Sequence, residues 1–346
     1  MPPGTGSTSA QLDHLLQVAY AFMGTSALKA GVESGVFRTL AQGGHDAPTL
    51  ADQLGLPQRS TRVLLATLAA YGLLKRDQGK FILTETAKTY LVPGKDEYLG
   101  DMVAVIAGDP IWSTAGRLTD VVRQNGSVIS ASALSPDNSY WVGYNRSIRR
   151  SLLTQAEALY ETIREEGPFR RILDLACGCG ALGLTFTAKD TEAQAICEDW
   201  APVLETARET AGELGVLSRT TFVSESILTM ELPENQDLII LGNICHFLSL
   251  DQCLALFRRC HKALAHSGKL LVFDSIADED RDSPQCSMMA LSVLLQSAEG
   301  DVHTFEEYWE KLLQAGFRDI NLYTIEGSPS ECLLAGKQKL RGRPCE

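Results

Sequence analysis

The amino-acid sequence predicts two domains, a mostly helical one in the amino-terminal part and an α/β domain with a largely parallel sheet after it. Seven short apolar segments alternate with segments of helical periodicity after residue 166, which is the pattern of an α/β fold. A glycine-rich turn directly follows the first of these apolar segments. The length of 346 residues exceeds what one hydrophobic core usually supports and favours the same division.

The first hundred residues follow a winged-helix pattern. Apolar positions from Ala10 to Gly35 recur at helical spacing, which predicts a long first helix. Thr49, followed by Asp52, resembles a helix-start box. Ser60 is placed to cap another helix that runs to about Tyr71. Two short strands around an Asp-Gln-Gly turn then follow in the segment LLKRDQGKFILT.

The second helix of this pattern bears on DNA binding. Only Arg59 and Arg62 stand near its start, and the run VLLATLAAYGLL after them is nearly all apolar. A recognition helix needs polar side chains that reach phosphates and base edges. A helix that is apolar on nearly all sides needs several packing partners instead. The sequence therefore predicts a homodimer formed through the amino-terminal domain, and no nucleic-acid partner.

Charge and composition argue against binding to nucleic acid and to membranes. Asp and Glu outnumber Lys and Arg by 43 to 31, so affinity for nucleic acid or anionic membranes is not expected. The sequence has no run of 18 or more apolar residues and no signal-peptide pattern, so no membrane partner is predicted. Its nine cysteines are scattered and mostly inside apolar runs, which fits reduced thiols in a cytoplasmic protein.

The stretch RILDLACGCGALGLTF places a glycine-rich turn between the first strand and the first helix of the α/β domain. Doubly wound folds bind nucleotides at this point. Asp174 stands at the strand end, in the spacing D-x-x-x-G-x-G, where a pyrophosphate would be repelled. The pattern therefore disfavours NAD and favours S-adenosylmethionine, which carries an ammonium and a sulfonium and no phosphate.

The next strand ends support the same cofactor. Glu198 and Asp199 end the second strand, where a carboxylate can accept hydrogen bonds from both ribose hydroxyls. Glu225 or Ser226, after the third strand, is placed to meet the adenine edge. The segment GNICHFLS after the fourth strand is expected beneath the methionine part of the cofactor.

The ordered set of these segments resembles the small-molecule O-methyltransferases of the caffeate and acetylserotonin type. The resemblance covers roughly residues 12 to 338 and includes ILDLACGCGALG, CEDWAPVLETA and DLIILGNICHFLSLDQC. It implies a Rossmann-like class I methyltransferase domain with a mixed seven-stranded sheet, preceded by a mostly α winged-helix dimerisation domain. The implied regions are a dimerisation domain at 10–100, a helical linker forming part of the acceptor pocket at 101–165, and an S-adenosylmethionine-binding domain at 166–340.

The resemblance assigns the cofactor site to the strand ends of the α/β domain. Asp174 and the two loop glycines match the family's cofactor loop, in which Ala176 and Cys177 stand where relatives have glycine. Asp199 matches the ribose-binding acid. The predicted cofactor-binding residues are Asp174, Ala176, Gly178, Gly180, Asp199, Trp200, Ser226 and Asn243.

The resemblance also implies a catalytic base. His246 in ICHFLSLD stands at the position of the catalytic histidine in the ICHDWSDE run of the plant enzymes. Asp274, at the end of LLVFD, matches an acid that orients this histidine. Phe247 replaces an aspartate of the family, and no acid near EGDVH aligns with the second orienting glutamate. The alternative is that His246 only holds the shape of a loop at a strand end.

By position, the resemblance places the acceptor between the helices before the cofactor domain and the segment after the fifth strand. Aromatic and methionine side chains in these segments suit a flat apolar acceptor. The predicted substrate-binding residues are Trp112, Tyr140, Tyr144, Asn145 and Met289, with Trp141 and Met288 as neighbouring candidates.

Cys177 and Cys179 form a lone C-x-C pair without the second pair that a zinc site needs. They are therefore predicted to be small packed residues, and no metal is expected.

We therefore predict a homodimeric S-adenosylmethionine-dependent O-methyltransferase that acts on a hydroxyl of a small aromatic or polyketide-like metabolite. Two alternatives keep the fold. One is methylation of nitrogen or carbon, and the other uses the cofactor without methyl transfer, as a cyclase, decarboxylase or hydroxylase. A winged-helix regulator with a ligand domain is disfavoured by the apolar second helix and the acidic charge balance.

Overall fold

The computed structural model describes residues 6–95, 97–128, 134–136, 140–281 and 283–338. The chain divides into two compact units, Met1–Asp109 and Pro110–Glu346. The division therefore falls inside the predicted linker 101–165. The three-part division at residues 100 and 165 stays a prediction, and residues 339 and 340 of its last region lie outside the described residues.

The amino-terminal unit is built mainly from helices, and its one described sheet is a hairpin. The hairpin strands are antiparallel and pair Leu74 with Leu83, directly after the second helix of the winged-helix pattern. The elements are α1 (Gly6–Glu33), α2 (Val36–Leu40), α3 (Ala47–Leu54), α4 (Gln58–Ala70), β1 (Leu74–Asp77), β2 (Lys80–Leu83), α5 (Glu85–Tyr90) and α6 (Gly100–Ile106).

Two of the predicted helix starts are wrong. Asp46, not Thr49, caps α3, because its extended backbone lets its Oδ1 accept a hydrogen bond from the Thr49 N–H at 2.8 Å. Helix α4 begins at Gln58 after Pro57, which holds the extended conformation of a cap residue. Ser60 lies inside α4 and donates its hydroxyl to the Pro57 carbonyl at 3.0 Å.

The carboxyl-terminal unit starts with helices and continues as alternating strands and helices. Its 3₁₀ turns lie at Arg164–Glu166, Leu217–Arg219 and Cys245–Phe247. The regular elements are α7 (Ile111–Ala115), α8 (Leu118–Gln124), α9 (Tyr140–Ile163), β3 (Arg171–Leu175), α10 (Ala181–Lys189), β4 (Gln194–Glu198), α11 (Ala201–Glu213), β5 (Thr220–Val223), β6 (Gln236–Gly242), α12 (Leu250–Ala263), β7 (Leu264–Asp274), α13 (Pro284–Gln296), α14 (Phe305–Ala315), β8 (Asp319–Thr324) and β9 (Glu331–Gly336).

One seven-stranded sheet organises this unit, in the order β5-β4-β3-β6-β7-β9-β8. Strands β3 to β7 run parallel, whereas β9 is antiparallel to both of its neighbours. The structure thus confirms the predicted mixed sheet. The chain leaves β3 toward β4 on one side and later returns to β6 on the other. Such a reversal opens a crevice at the carboxyl ends of the strands, where α/β proteins bind ligands.

Both faces of the central strands are buried. Leu173 and Ile239 belong to the core cluster that includes α12 and α14 side chains, whereas Ile172 and Ile240 belong to the cluster on the opposite face with α9 and α10. Polar side chains at the ends of these strands are therefore withdrawn from water, and Asp174 is only 1% exposed. In the described part of the chain, no helix combines the length and the apolar character needed to cross a bilayer.

Candidate active site

A cavity opens at the carboxyl ends of β3, β4 and β6, at the reversal point of the sheet. Its walls come from α9, the loop after β3 and the segments after β4, β5 and β6. Gly180 is the one predicted cofactor residue that does not line the cavity. It is the N-cap residue of α10 and has a φ of 72°. The predicted cofactor residues that line the cavity are Asp174, Ala176, Gly178, Asp199, Trp200, Ser226 and Asn243.

The glycine-rich loop is held by two adjacent carboxylates, Glu198 as the last residue of β4 and Asp199 directly after it. The Ala176 N–H donates to Glu198 Oε2 at 3.0 Å, and the Gly178 N–H donates to Asp199 Oδ2 at 2.8 Å. The other Asp199 oxygen accepts the Trp200 N–H at 2.7 Å. The adjacent acids thus hold two different points of the loop.

Two further side chains hold the same loop and the helix that follows it. The Cys179 N–H donates to Asn145 Oδ1 at 3.2 Å, while the Asn145 amide donates to the Trp141 carbonyl at 2.9 Å. The Gly183 N–H donates to Asp174 Oδ2 at 2.9 Å. Asn145 was predicted as a substrate contact, and in the structure it lines the cavity with both ends of its amide engaged.

The backbone of the loop explains its residue types. Ala176 and Gly178 have φ values of 51° and 59°, in the left-handed region that disfavours side chains. A Cβ atom at Gly178 would collide with Asn145 Oδ1, so glycine is required there. Alanine at 176 costs about 1 kcal/mol in this conformation, which the hydrogen bond to Glu198 offsets.

Burial makes the three carboxylates of the cavity hard to ionise. Desolvation raises the pKa of Asp174 to about 7 and that of Glu198 to about 8, and the charge of Asp199 adds to both shifts. Desolvation raises the pKa of Asp199 to about 6. A cation bound in the cavity would favour the ionised form of all three groups.

The remaining predicted cofactor residues lie at the ends of β5 and β6. Ser226 lines the cavity after β5. Asn243 follows β6 with a φ of 53°, and its N–H donates to the Phe273 carbonyl at 2.8 Å. Its side-chain oxygen accepts the Ser330 hydroxyl at 3.2 Å. Asn243 is therefore fixed at both its backbone and its side chain.

His246 and Asp274 are brought together beneath the cavity. His246 lies in the 3₁₀ turn Cys245–Phe247 with its Nδ1 2.5 Å from Asp274 Oδ1, and its N–H donates to Asp274 Oδ2 at 3.1 Å. Asp274 also accepts the Ser275 N–H at 2.8 Å and the Tyr308 hydroxyl at 3.4 Å. The His246 side chain is 2% exposed and is not part of the cavity lining.

The predicted substrate residues separate into two groups. Tyr144 lines the cavity, as does Asn145, whereas Trp112, Tyr140 and Met289 lie outside its lining. Trp112 is 38% exposed on α7. The Tyr140 ring stacks on that of Tyr144 at 5.6 Å, and Met289 packs against the core around α12.

Cys177 and Cys179 are both buried free thiols at the loop. Burial raises the pKa of the Cys179 thiol to about 12. Within the described ranges, no group of three or more His, Cys, Asp or Glu side chains is arranged to hold a metal ion. The packing role of Cys177 and Cys179 stays a prediction.

Comparison with protein families identifies the chain. An O-methyltransferase domain matches residues 115–318, and an O-methyltransferase dimerisation domain matches residues 16–93. The chain belongs to the O-methyltransferase family. It is an S-adenosylmethionine-dependent O-methyltransferase, which confirms the predicted enzyme class and cofactor.

Similar proteins cover nearly its full length. A 3-hydroxy-5-methyl-1-naphthoate 3-O-methyltransferase of Streptomyces sahachiroi is 28% identical over 93% of this chain and 94% of that protein. Acetylserotonin O-methyltransferase of Bos taurus is 30% identical over 91% of this chain and 94% of that protein. Human N-acetylserotonin methyltransferase, solved with S-adenosylmethionine, has the same fold with a TM-score of 0.82 at 24% identity, covering 97% of this chain and 99% of that one.

The side chains around the cavity of this O-methyltransferase suit its cofactor. Three carboxylates line the cavity, of which Asp174 and Glu198 are buried and Asp199 is partly buried, and none of its described lining residues is Lys, Arg or His. These carboxylates accept hydrogen bonds from ribose hydroxyls and favour a cationic ligand over a phosphate. The chemistry of the site therefore agrees with S-adenosylmethionine.

Glu198 and Phe247 line the cavity, and neither is among the predicted cofactor-binding or substrate-binding residues. The sequence presents Glu198 only as one of two adjacent acids, and Phe247 only as a departure from the family pattern. The available signal for Glu198 was its position at the end of a parallel strand, because ligands of α/β proteins bind at the carboxyl ends of the strands. For Phe247 there was no such signal.

The hydrogen bond from the loop to Glu198 can be tested at pH 5, where the buried carboxyl is protonated. Glu198→Leu leaves the buried Ala176 N–H without its acceptor, which costs about 1–3 kcal/mol. We expect urea unfolding to show that loss, and titration calorimetry to show weaker S-adenosylmethionine binding. Glu198→Gln is the matched control, because its amide oxygen still accepts the bond. Equal losses in both variants would contradict this role.

The raised pKa of Glu198 predicts a pH dependence of folding stability. The carboxyl ionises in the unfolded chain near its ordinary pKa of 4.5, but burial holds its pKa at about 8 in the folded protein. Between these values only the unfolded chain releases the proton, so the free energy of unfolding falls as pH rises, by at most about 1.4 kcal/mol per pH unit. Below pH 4.5 both states hold the proton, so the free energy of unfolding no longer depends on pH through this group and keeps its full contribution.

Denaturant unfolding at several pH values between 5 and 8 measures this slope. Glu198→Gln removes the titrating group, so its slope should be shallower than that of the unaltered enzyme. The slope that remains in Glu198→Gln comes from other groups such as Asp174, whose raised pKa also makes the free energy of unfolding fall as pH rises. An identical slope in both proteins would show that Glu198 ionises normally.

Proposed function

We propose that this enzyme transfers a methyl group from S-adenosylmethionine to a phenolic hydroxyl of a small aromatic or polyketide-like metabolite, with His246 as general base. The observation that carries the proposal is the buried contact between His246 Nδ1 and Asp274 Oδ1 at 2.5 Å, next to the cavity. In-line methyl transfer requires the acceptor oxygen close to the methyl carbon and free of its proton.

In this proposal the strand-end residues hold the cofactor. When bound, S-adenosylmethionine supplies a methyl group activated by a sulfonium. Asp199 and its neighbour Glu198 accept hydrogen bonds from the ribose hydroxyls, and Ser226 contacts the adenine edge. Asp174 offers negative charge at the end of β3. The support is that these residues line one cavity and that two of the three carboxylates, Asp174 and Glu198, are buried.

Asp274 makes His246 suited to act as a base. Its Oδ1 accepts the hydrogen from His246 Nδ1, which leaves Nε2 with the free electron pair. The carboxylate also stabilises the imidazolium that forms after proton transfer, as in other His–Asp pairs. A phenol with an ordinary pKa of about 10 needs such a base near neutral pH. The hydrogen bonds from Ser275 and Tyr308 keep Asp274 in position.

An aromatic acceptor is supported by the aromatic side chains that line the cavity. Trp141 contacts both Tyr144 and Phe247, and these three rings line the cavity together with Leu134. Flat apolar rings bind favourably against such a surface. The similar proteins named for a naphthoate and for acetylserotonin also act on aromatic compounds with a hydroxyl group, which favours the same class here.

We propose a homodimer formed through the amino-terminal unit. Helix α1 exposes large apolar side chains along its length, and the matched dimerisation domain begins within it. Apolar surface of this extent is typical of a protein interface. The exposed side chains are Leu12, Leu15, Leu16, Val18, Tyr20, Phe22 and Met23.

Substitution of the base tests the mechanism. His246→Ala should lower kcat on a hydroxyl acceptor about 10²- to 10⁴-fold, because the proton loses its acceptor. The dissociation constant of S-adenosylmethionine should not change, since His246 does not line the cavity. Transfer of labelled methyl groups and calorimetric binding measure the two effects.

The exposed His266, on β7, provides the control, and His266→Ala should leave kcat unchanged. Unchanged turnover in His246→Ala would remove this residue from the mechanism.

A product methylated on nitrogen or carbon, identified by mass spectrometry and NMR, would favour the alternative chemistry instead.

The dimer proposal predicts a change of mass on α1 substitution. Leu15→Glu combined with Val18→Glu places charges on the exposed apolar face and should convert the dimer to a monomer. Sedimentation velocity measures this change. Leu217→Glu, at a 50% exposed position of the other unit, should leave the dimer intact. A monomeric unaltered protein, or an unchanged dimer in the double variant, would contradict the proposal.

A further inference from the structure

Phe247 contacts both the cavity and the proposed base. Its ring lines the cavity, and its centroid lies 4.3 Å from that of the neighbouring His246 ring. The His246 side chain itself is only 2% exposed. An acceptor that enters the cavity and approaches the His246 imidazole therefore also contacts the Phe247 ring.

The Phe247 ring is part of a continuous aromatic surface. It meets the Trp141 ring edge to face, with centroids 5.3 Å apart and planes at 74°. Trp141 in turn meets Tyr144 edge to face at 5.6 Å. All three rings line the cavity. Edge-to-face pairs leave ring faces available for another flat ring.

The backbone of the turn that carries Phe247 is fixed, which restricts how the ring can move. The Phe247 N–H donates to the Ile244 carbonyl at 3.0 Å, and its carbonyl accepts the Ser297 hydroxyl at 3.0 Å. The backbone of Gly300 packs so closely that a Cβ there would lie 2.8 Å from the Phe247 Cα. Rotation of the Phe247 side chain is therefore easier than movement of the turn.

We propose that Phe247 is a specificity-determining residue that covers His246 on the cavity side. In the absence of acceptor its ring shields the imidazole. A flat aromatic acceptor seats against the Trp141 and Phe247 rings, turns the Phe247 side chain aside and brings its hydroxyl to His246. A saturated, puckered ring makes poorer contact with the same surface and opens the cover less well. This inference rests on the proposed function, because it takes His246 as the base.

The cover can be tested without any acceptor, by carbethoxylation of histidines with diethyl pyrocarbonate and peptide mass spectrometry. In the unaltered enzyme, His246 should react roughly tenfold or more slowly than the exposed His266, because the reagent must wait for local opening. Phe247→Ala should raise the rate at His246 by a similar factor and leave the rate at His266 unchanged. Phe247→Leu, which keeps an apolar side chain at this position, is the matched control and should keep His246 slow.

The comparison of His246 with His266 inside the unaltered enzyme needs no variant, so it holds even where Phe247→Ala fails to fold. Circular dichroism and binding of S-adenosylhomocysteine establish that each variant is folded. Equal rates at His246 and His266 in the unaltered enzyme would overturn the proposal. An unchanged rate at His246 in folded Phe247→Ala would overturn it as well.

Specificity is tested with two phenols that differ only in the second ring, 2-naphthol and 5,6,7,8-tetrahydro-2-naphthol. The unaltered enzyme should have the higher kcat/KM for the fully aromatic compound. Phe247→Ala should lower that preference roughly two- to tenfold, the range expected for loss of one aromatic contact. An equal preference in both proteins would overturn the specificity role.

Failure of the proposed function has a different signature. Methylation of neither phenol by the unaltered enzyme would fault the acceptor class, while the carbethoxylation rates would still decide whether Phe247 covers His246. Normal turnover in His246→Ala would fault the base, and the preference between the two phenols would still decide whether Phe247 selects the acceptor.

Discussion

The buried carboxylates at the carboxyl ends of the central strands are the constraint on which the site depends. A carboxylate withdrawn from water must accept hydrogen bonds from nearby donors, or its ionisation becomes costly. Asp174 and Glu198 find these donors in the glycine-rich loop and the start of α10. Asp274 finds them in the turn of His246 and in the Tyr308 hydroxyl. One chemical requirement thus fixes the cofactor loop and the proposed base along a single sheet edge.

The loop amides do not fully compensate for burial. The pKa of Asp174 stays raised to about 7 and that of Glu198 to about 8. The described lining of the cavity supplies no cationic side chain to restore them. The site therefore keeps a preference for a positively charged ligand, which separates S-adenosylmethionine from the phosphate-bearing dinucleotides that other Rossmann-like folds bind.

Local patterns in the sequence predicted the seven strands and placed the acids at the strand ends, because strand burial and turn chemistry depend on neighbouring residues. The mixed order of the sheet came from the family resemblance. Contacts between distant segments were not predictable in the same way. Asn145 reaches the Cys179 amide across 34 residues, and that contact depends on how α9 packs against the loop. Asp46, and not Thr49, caps α3, because the backbone of Asp46 is extended. The residue type of Phe247 likewise gave no indication that its ring contacts both the cavity and the histidine.

Proton release on cofactor binding tests the central role of the buried carboxylates most directly. Titration calorimetry at pH 7 in buffers of different ionisation enthalpy counts the protons exchanged. The ammonium and sulfonium favour the ionised forms of Asp174 and Glu198, so binding of S-adenosylmethionine should release protons. S-adenosylhomocysteine, which lacks the sulfonium, should release fewer, and Glu198→Gln should reduce the count for both. No release, or an uptake of protons, would contradict the account.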